Sequence, residues 1–401
     1  MPLTYWAWLL FLLLLMAVGG LAFARQLFEG LVTTNMRDPV SWGFYIGNFT
    51  FLVGVAAAAV VLVIPAYLYN WGPIKEIVVI GELLAVSAII MCLGFVFVDI
   101  GHLERGWHFL KLNVPGSMLG WDVIVLNTYL VLNFCIATHV VYRKYTHRKV
   151  SKYMLAAAML SIPAAVSIHT VTAFLYSGLP AKPYWNSAIL APRFLASAFC
   201  SGPAIILILL QILRKSTGLA IKDAALHKIA ELMAYAMAIN LFLLGAEVFR
   251  EYYSGTSHLI HHTYLYTGVE GHRSLVPFAW GSLFLSVAAF VLFLIPATRR
   301  NFYTLNLGAV MIYFGVYVEK GIALVVPGFI PNGLGQIYDY TPNISEVVIA
   351  MGIFGLGFLI FTLMVKVAIA VLRGDFSMEI DPHEPAPEAR PSSFVHEGSE
   401  A

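Results

Sequence analysis

Ten times along this chain an apolar, nearly uncharged run reaches about 20 residues, the length of helix needed to cross the hydrocarbon core of a bilayer at 1.5 Å per residue. Nothing else in the sequence limits the fold so tightly. In lipid, every backbone N–H and C=O must be satisfied within the segment, so runs of this length imply helices. Ten of them consume nearly all 401 residues. The balance of side chains agrees: 60% are hydrophobic, 11% are charged, and the mean hydropathy is +0.80. That excludes the two or three soluble domains that such a length would ordinarily suggest. The expected fold class is an all-α polytopic membrane protein.

The spans are expected near 5–24, 44–69, 77–99, 122–142, 153–177, 188–213, 227–252, 277–296, 302–324 and 345–372. Pro163 and Pro203 fall inside spans, where neighbouring helices can re-satisfy the freed carbonyls. Trp6, Trp42, Trp121, Trp185 and Trp280 lie near span ends, as an interfacial aromatic belt requires. Ala22-Phe23-Ala24 before Arg25 imitates a signal-peptidase site, but residues 1–4 carry no basic side chain and the apolar run exceeds a signal core, so retention as a helix is expected. Arg143, Lys144, Arg148, Lys149 and Lys152 crowd one loop, Arg214, Lys215, Lys222 and Lys228 another, and Arg299 and Arg300 a third. By the positive-inside rule these loops and both termini lie in the cytoplasm. Residues 373–401, rich in acids and prolines, cannot bury a core and read as a disordered cytoplasmic tail.

Span 3 opens Ile80-Gly81-Glu82-Leu83-Leu84-Ala85 and span 7 opens Ile229-Ala230-Glu231-Leu232-Met233-Ala234, and each ends in an acid, Asp99 and Glu247. Two parallel-related four-helix bundles, spans 2–5 and 6–9, with spans 1 and 10 flanking them, are the economical reading. The expected segments are 1–43 (first helix and outer loop), 44–177 (first bundle), 178–324 (second bundle), 325–372 (last helix) and the tail.

A net charge of +2 and the lack of basic runs interleaved with aromatics give no case for nucleic acid. Cys92, Cys135 and Cys200 stand alone in spans, in no haem-attachment or iron–sulfur pattern, so any such centre is expected on a partner chain. His139 and His169 lie toward opposite ends of their spans, which disfavours a haem b reading. The cluster His258, His261, His262 and His272 lacks carboxylate or thiolate partners at ligand spacing and reads as part of a protein-docking loop; no metal is expected.

The chemistry is expected where hydrocarbon should reject it. Asp99, His169, Glu247 and the pair Glu319 and Lys320 sit near the ends of spans that run in the same direction, so they gather toward the outer face. His102, one turn beyond Asp99, shares its face if the helix continues. His169 lies roughly 12 Å below that surface, and Arg193 enters from the same side. Together these suit a quinone headgroup, whose two oxygens exchange two protons with two electrons: histidine and partly buried carboxylates supply titratable groups, and apolar grooves take the tail. Blander readings compete. Asp99 can simply end a helix, Glu247 and Arg250 can form a structural ion pair, Lys320 can snorkel outward, and His169 can bond a neighbouring carbonyl. Glu82 and Glu231, on the other side, can face headgroups.

Trp42-Gly43-Phe44-Tyr45-Ile46-Gly47, Asp99-Ile100-Gly101-His102 leading to Arg105, Ser167-Ile168-His169-Thr170, Trp185-Asn186-Ser187 with Ala191-Pro192-Arg193-Phe194, and Glu247 leading to Tyr253-Ser254-Gly255 resemble the NrfD/PsrC-type membrane subunits, in order, from about residue 40 to 370. Among branches, the runs from Trp42 to Pro65 and from Ser161 to Gly202 are most similar to the P subunit of Dsr complexes, associated with dissimilatory sulfite reduction and sulfur oxidation. The resemblance implies ten helices without a metal centre, exchanging electrons between menaquinone and a periplasmic iron–sulfur subunit in a complex that includes cytochromes. It also implies a quinone site in the first bundle, at Asp99 and His169. The chain departs from the family where many relatives have arginine and proline after Asp-x-Gly, here His102 and Leu103, and where some carry an acid in place of Leu175.

The reading is therefore a quinone-reactive subunit in the inner membrane. Asp99 and His169 handle the headgroup with His102 and Arg193 in support, Glu247 and Arg250 are buried charges of the second bundle, and the loops 99–121 and 253–276 dock the iron–sulfur subunit of a complex that also holds a c-type cytochrome. The rival is a secondary transporter with a buried charged site. Against it, no paired Gly/Pro-broken spans appear at midplane depth in both halves.

Overall fold

The computed structural model describes residues 3–75, 77–110, 116–256 and 258–378. The end of the expected tail, 379–401, lies outside them, as do positions 111–115 and 257 of the expected docking loops. Ten helices among the described residues are long and apolar enough to cross a membrane: Leu3–Glu29, Phe44–Leu68, Val78–Asp99, Met118–Tyr145, Lys152–Ser177, Leu190–Thr217, Asp223–Ser254, Val276–Leu294, Phe302–Phe329 and Ile344–Leu372, here spans 1 to 10. All ten expected spans are present, each end within a few residues of its expected place. The chain is a multi-pass membrane protein.

Local chemistry sets the ends. Span 10 starts on a capping box in which the Asn343 side chain accepts from the Glu346 N–H and the Glu346 carboxylate accepts from the Asn343 N–H. Ser117, Ser151 and Asn301 cap spans 4, 5 and 9. Spans 6 and 7 stop at Gly218 and Gly255, both in the left-handed conformation that glycine adopts without penalty. Span 2 is interrupted at Ala57 and ends in a π-helical turn over Ile64–Leu68 that contains Pro65, which has no N–H to donate.

Helices in the first half pack in sequence, span 2 on 3, 3 on 4 and 4 on 5; in the second half 6 packs on 7, 7 on 8, 8 on 9, and 9 back on 6. The halves meet where spans 2 and 5 lie against span 6 and span 2 touches span 9. Spans 1 and 10 pair with each other, and span 10 lies against span 3. That pairing is close: a Cβ on Gly19 would come within 2.6 Å of the Gly352 Cα, so both positions need glycine. Span 3, hemmed in by spans 2, 4 and 10, is the most enclosed helix, and span 1 the most open. Both are apolar over most of their length, because lipid accepts the same side chains as a core.

Odd-numbered spans end at one face, called distal below. There Trp42 stacks on Trp185 at 5.8 Å, and Tyr176 and Phe329 close edge-on against Trp185, each at 5.1 Å. Trp185 is 0% exposed and donates its Nε1–H to the Leu324 carbonyl at 2.9 Å. This corrects the belt reading for Trp185: it fills an aromatic plug over the junction of the two halves. Trp6, Trp121 and Trp280 do face outward.

Candidate functional site

His169 is 1% exposed on span 5. Its Nδ1 lies 2.7 Å from the Ala165 carbonyl one turn back. A carbonyl can only accept, so Nδ1 carries the proton and the neutral ring presents an acceptor lone pair at Nε2. That atom is buried and has no partner. His169 lines a small gap between spans 2, 5, 6 and 9, shared with Thr50, Phe51, Phe194, Ser201 and Lys320.

Toward the distal face the polar groups continue. Thr172, one turn above His169, donates to the buried Asp122 carboxylate at 2.6 Å, and Tyr176, a further turn on, shares a 2.5 Å hydrogen bond with Thr50. Asp99, at the end of span 3, keeps Oδ1 buried and unpartnered. Beside it Gln26 donates to the Val98 carbonyl at 2.7 Å and accepts from the Tyr45 hydroxyl at 2.8 Å. Glu346, fully buried, accepts from Tyr340, from the Asn35 N–H at 3.0 Å and from the Asn343 N–H at 2.9 Å. It ties the loop after span 1 to the start of span 10.

In the second half Arg193 donates to Glu247 and, at 2.9 Å, to Glu319; the other Glu319 oxygen accepts from Asn240 at 3.0 Å. All four side chains are buried or nearly so. Arg193, Glu247 and Glu319 border a second gap whose rim includes Tyr184, His262 and Tyr266. On the loops above, burial pulls His261 and His262 below the usual imidazole range, and His261 Nδ1 contacts the Pro327 and Ile330 carbonyls at 2.8 and 2.6 Å. Asp339 is buried in part, which opposes its ionisation, yet hydrogen bonds from Ser274 and His272 hold it below the carboxylate range.

Several expectations are corrected by this geometry. Span 3 stops at Asp99, Gly101 turns the chain at φ +77, and His102 ends 71% exposed, 3.0 Å from Glu104, so it does not join Asp99. Arg193 belongs with Glu247 and Glu319, away from Asp99. Arg250 is not a buried charge: it is 54% exposed and lies 3.7 Å from Glu251. Lys320 does not snorkel outward; it is 4% exposed, with Nζ over the Phe194 ring at 4.7 Å. Of the two inner acids, Glu82 is 1% exposed with both oxygens unpartnered, whereas Glu231 accepts from Lys228 and Tyr235. Asp122 was missed because an acid beside Trp121 at a span's first turn looks like an interfacial cap. Thr50, Thr172 and Tyr176 gave no sequence signal, being ordinary residues in spans.

With this arrangement in hand, comparison with known proteins decides the relationship. The family model described as "Polysulphide reductase, NrfD" matches residues 32–331. The chain belongs to the NrfD family. Among curated NrfD-like relatives, the C subunit of the selenate reductase of Mesobacillus selenatarsenatis is 24% identical, covering 87% of this chain and 90% of its own. The C membrane subunit of a putative dimethyl sulfoxide reductase of Halobacterium salinarum is 26% identical, with 88% of each chain covered. An Hdr-like menaquinol oxidoreductase integral membrane subunit of Archaeoglobus fulgidus is 21% identical over 88% of this chain and 91% of its own. Their similarity runs through both halves, so the NrfD-family resemblance takes in His169 and the Arg193 cluster alike.

Proposed function

We propose that this chain is the quinone-reactive membrane subunit of a respiratory oxidoreductase complex. In this reading it exchanges electrons between menaquinone in the bilayer and a periplasmic iron–sulfur subunit accompanied by a c-type cytochrome. It sits in the inner membrane with both termini cytoplasmic and the distal face outward, and spans 2–5 and 6–9 act as two related bundles. Similarity to the P subunit of Dsr complexes favours a place in sulfur metabolism, and the name of the Archaeoglobus relative favours menaquinol as the substrate.

The observation that carries the reading is the vacant Nε2 acceptor of His169, a residue that lines a small gap deep in the membrane. A quinol oxygen carries a proton that such an acceptor can take. Apolar walls between spans suit the isoprenoid tail. Asp99 and Asp122 lie between this acceptor and the distal face, where carboxylates pass protons outward; His102, exposed on the loop, serves at the surface. Arg193 and Glu247 hold the second bundle together, with Arg250 at its rim.

Quinone content and quinol-analogue binding of the purified complex test the reading. His169→Ala is expected to lose bound quinone while the complex stays assembled, and Asp99→Asn to keep it but turn over slowly. Wild-type quinone content in His169→Ala would defeat the assignment and return the transporter reading, which draws on the ionic cluster around the second gap.

A further inference from the structure

Lys320 is the most isolated cation among the described spans. Its Nζ makes no hydrogen bond and lies 3.8 Å from the nearest Glu319 oxygen, which already accepts from Arg193. A buried amine without an acceptor costs free energy, and native structures seldom leave one so unless something else occupies the place. Lys320 lines the same small gap that His169 lines. Three buried polar atoms around that space lack partners: His169 Nε2, Lys320 Nζ and Ser201 Oγ. The first accepts, the second only donates, and the third does either. Two phenyl rings, Phe51 and Phe194, supply its apolar walls.

The complement of this lining is a flat ring that carries an oxygen at each end. Resting on the quinone reading above, we propose that Lys320, from the ninth span, completes the headgroup site. It donates to one ring oxygen of the quinol while His169 Nε2 accepts the O–H of the other. The site then lies at the junction of the two halves, so neither half holds it alone.

Two measurements on the purified complex test it. Titration with a tailless dimethyl-naphthoquinol is expected to give at least about tenfold weaker binding for Lys320→Met, with partial recovery in Lys320→Gln, which restores a donor. Photolabelling of wild type with an azido-naphthoquinone needs no variant and is expected to mark peptides from both span 5 and span 9. Wild-type affinity in Lys320→Met, or label confined to spans 2–5, overturns the proposal while leaving a quinone site in the first half intact. An unchanged affinity with only a shifted pH profile of turnover would mean that the space holds water, and overturns it equally. Absence of binding by the wild-type complex would defeat the quinone reading itself.

Discussion

The two halves of the chain bury ionisable groups to opposite ends. In the second half most are matched: Arg193 bridges Glu247 and Glu319, Asn240 takes the remaining Glu319 oxygen, and Glu231 is held by Lys228 and Tyr235, with Lys320 the exception. In the first half the acids at corresponding places are left open, with Glu82 unpartnered at both oxygens, Asp99 at one, and His169 at Nε2. A satisfied buried network fixes a structure; an unsatisfied one costs stability and is retained where something else completes it. The contrast teaches that charge inside a membrane is not by itself a site. Arg193, the most conspicuous buried cation in the sequence, is the group already paired, and Lys320 beside it is the one left free to act.

The sharpest way to break this comparison is Arg193→Met. It strands two buried carboxylates, and breaking a buried pair costs about 3–5 kcal/mol. Thermal melting of the purified protein is expected to fall steeply, or assembly to fail. A stable variant would mean that the second half is not held by this cluster. Asp99→Asn should do the reverse, leaving the melting temperature nearly unchanged while turnover drops by about 10²-fold, the usual scale for losing a proton-transferring group. Equal losses of stability and turnover would show Asp99 to be structural.

The pH dependence is smaller and belongs to the distal loops. His261 and His262 are held below the usual imidazole range by burial, so their neutral forms favour the folded loops. That contribution is complete above about pH 6.5 and is lost as pH falls through the lowered values, at no more than about 1.4 kcal/mol per pH unit for each ring. Hydrogen exchange over residues 259–266 should accelerate on acidification while the spans stay protected; uniform protection would show that these rings do not govern the loop. Smallest of all, Arg250→Ala should change stability by less than about 0.5 kcal/mol, because an exposed pair with Glu251 contributes little. A larger loss would restore Arg250 to the network from which its geometry excludes it.

How far the site was legible follows the range of the forces involved. Asp99, His169, Arg193 and Glu247 stood out because an ionisable residue in an apolar run is improbable by composition alone. Asp122 and Thr172 did not, since their bond at 2.6 Å joins spans 4 and 5 and leaves no local trace. The alternative that paired Glu247 with Arg250 fails for the same reason. Three residues along a helix are near in sequence, but Glu247 turns inward to span 6 and Arg250 turns outward.

By itself the sequence determined the ten spans, their ends and the membrane class, because hydrophobic length, caps and glycine stops act within a segment and need no partner. It also determined which residues are out of place in lipid. Only the tertiary structure decided which of them are satisfied. Hydrogen bonds reach about 3 Å, and the atoms that meet at that distance are brought together by helix packing from spans far apart in the chain. Lys320 shows the division: its sequence context says only that a cation sits near a helix end, and the fold turns it inward, to a small gap that it lines together with His169.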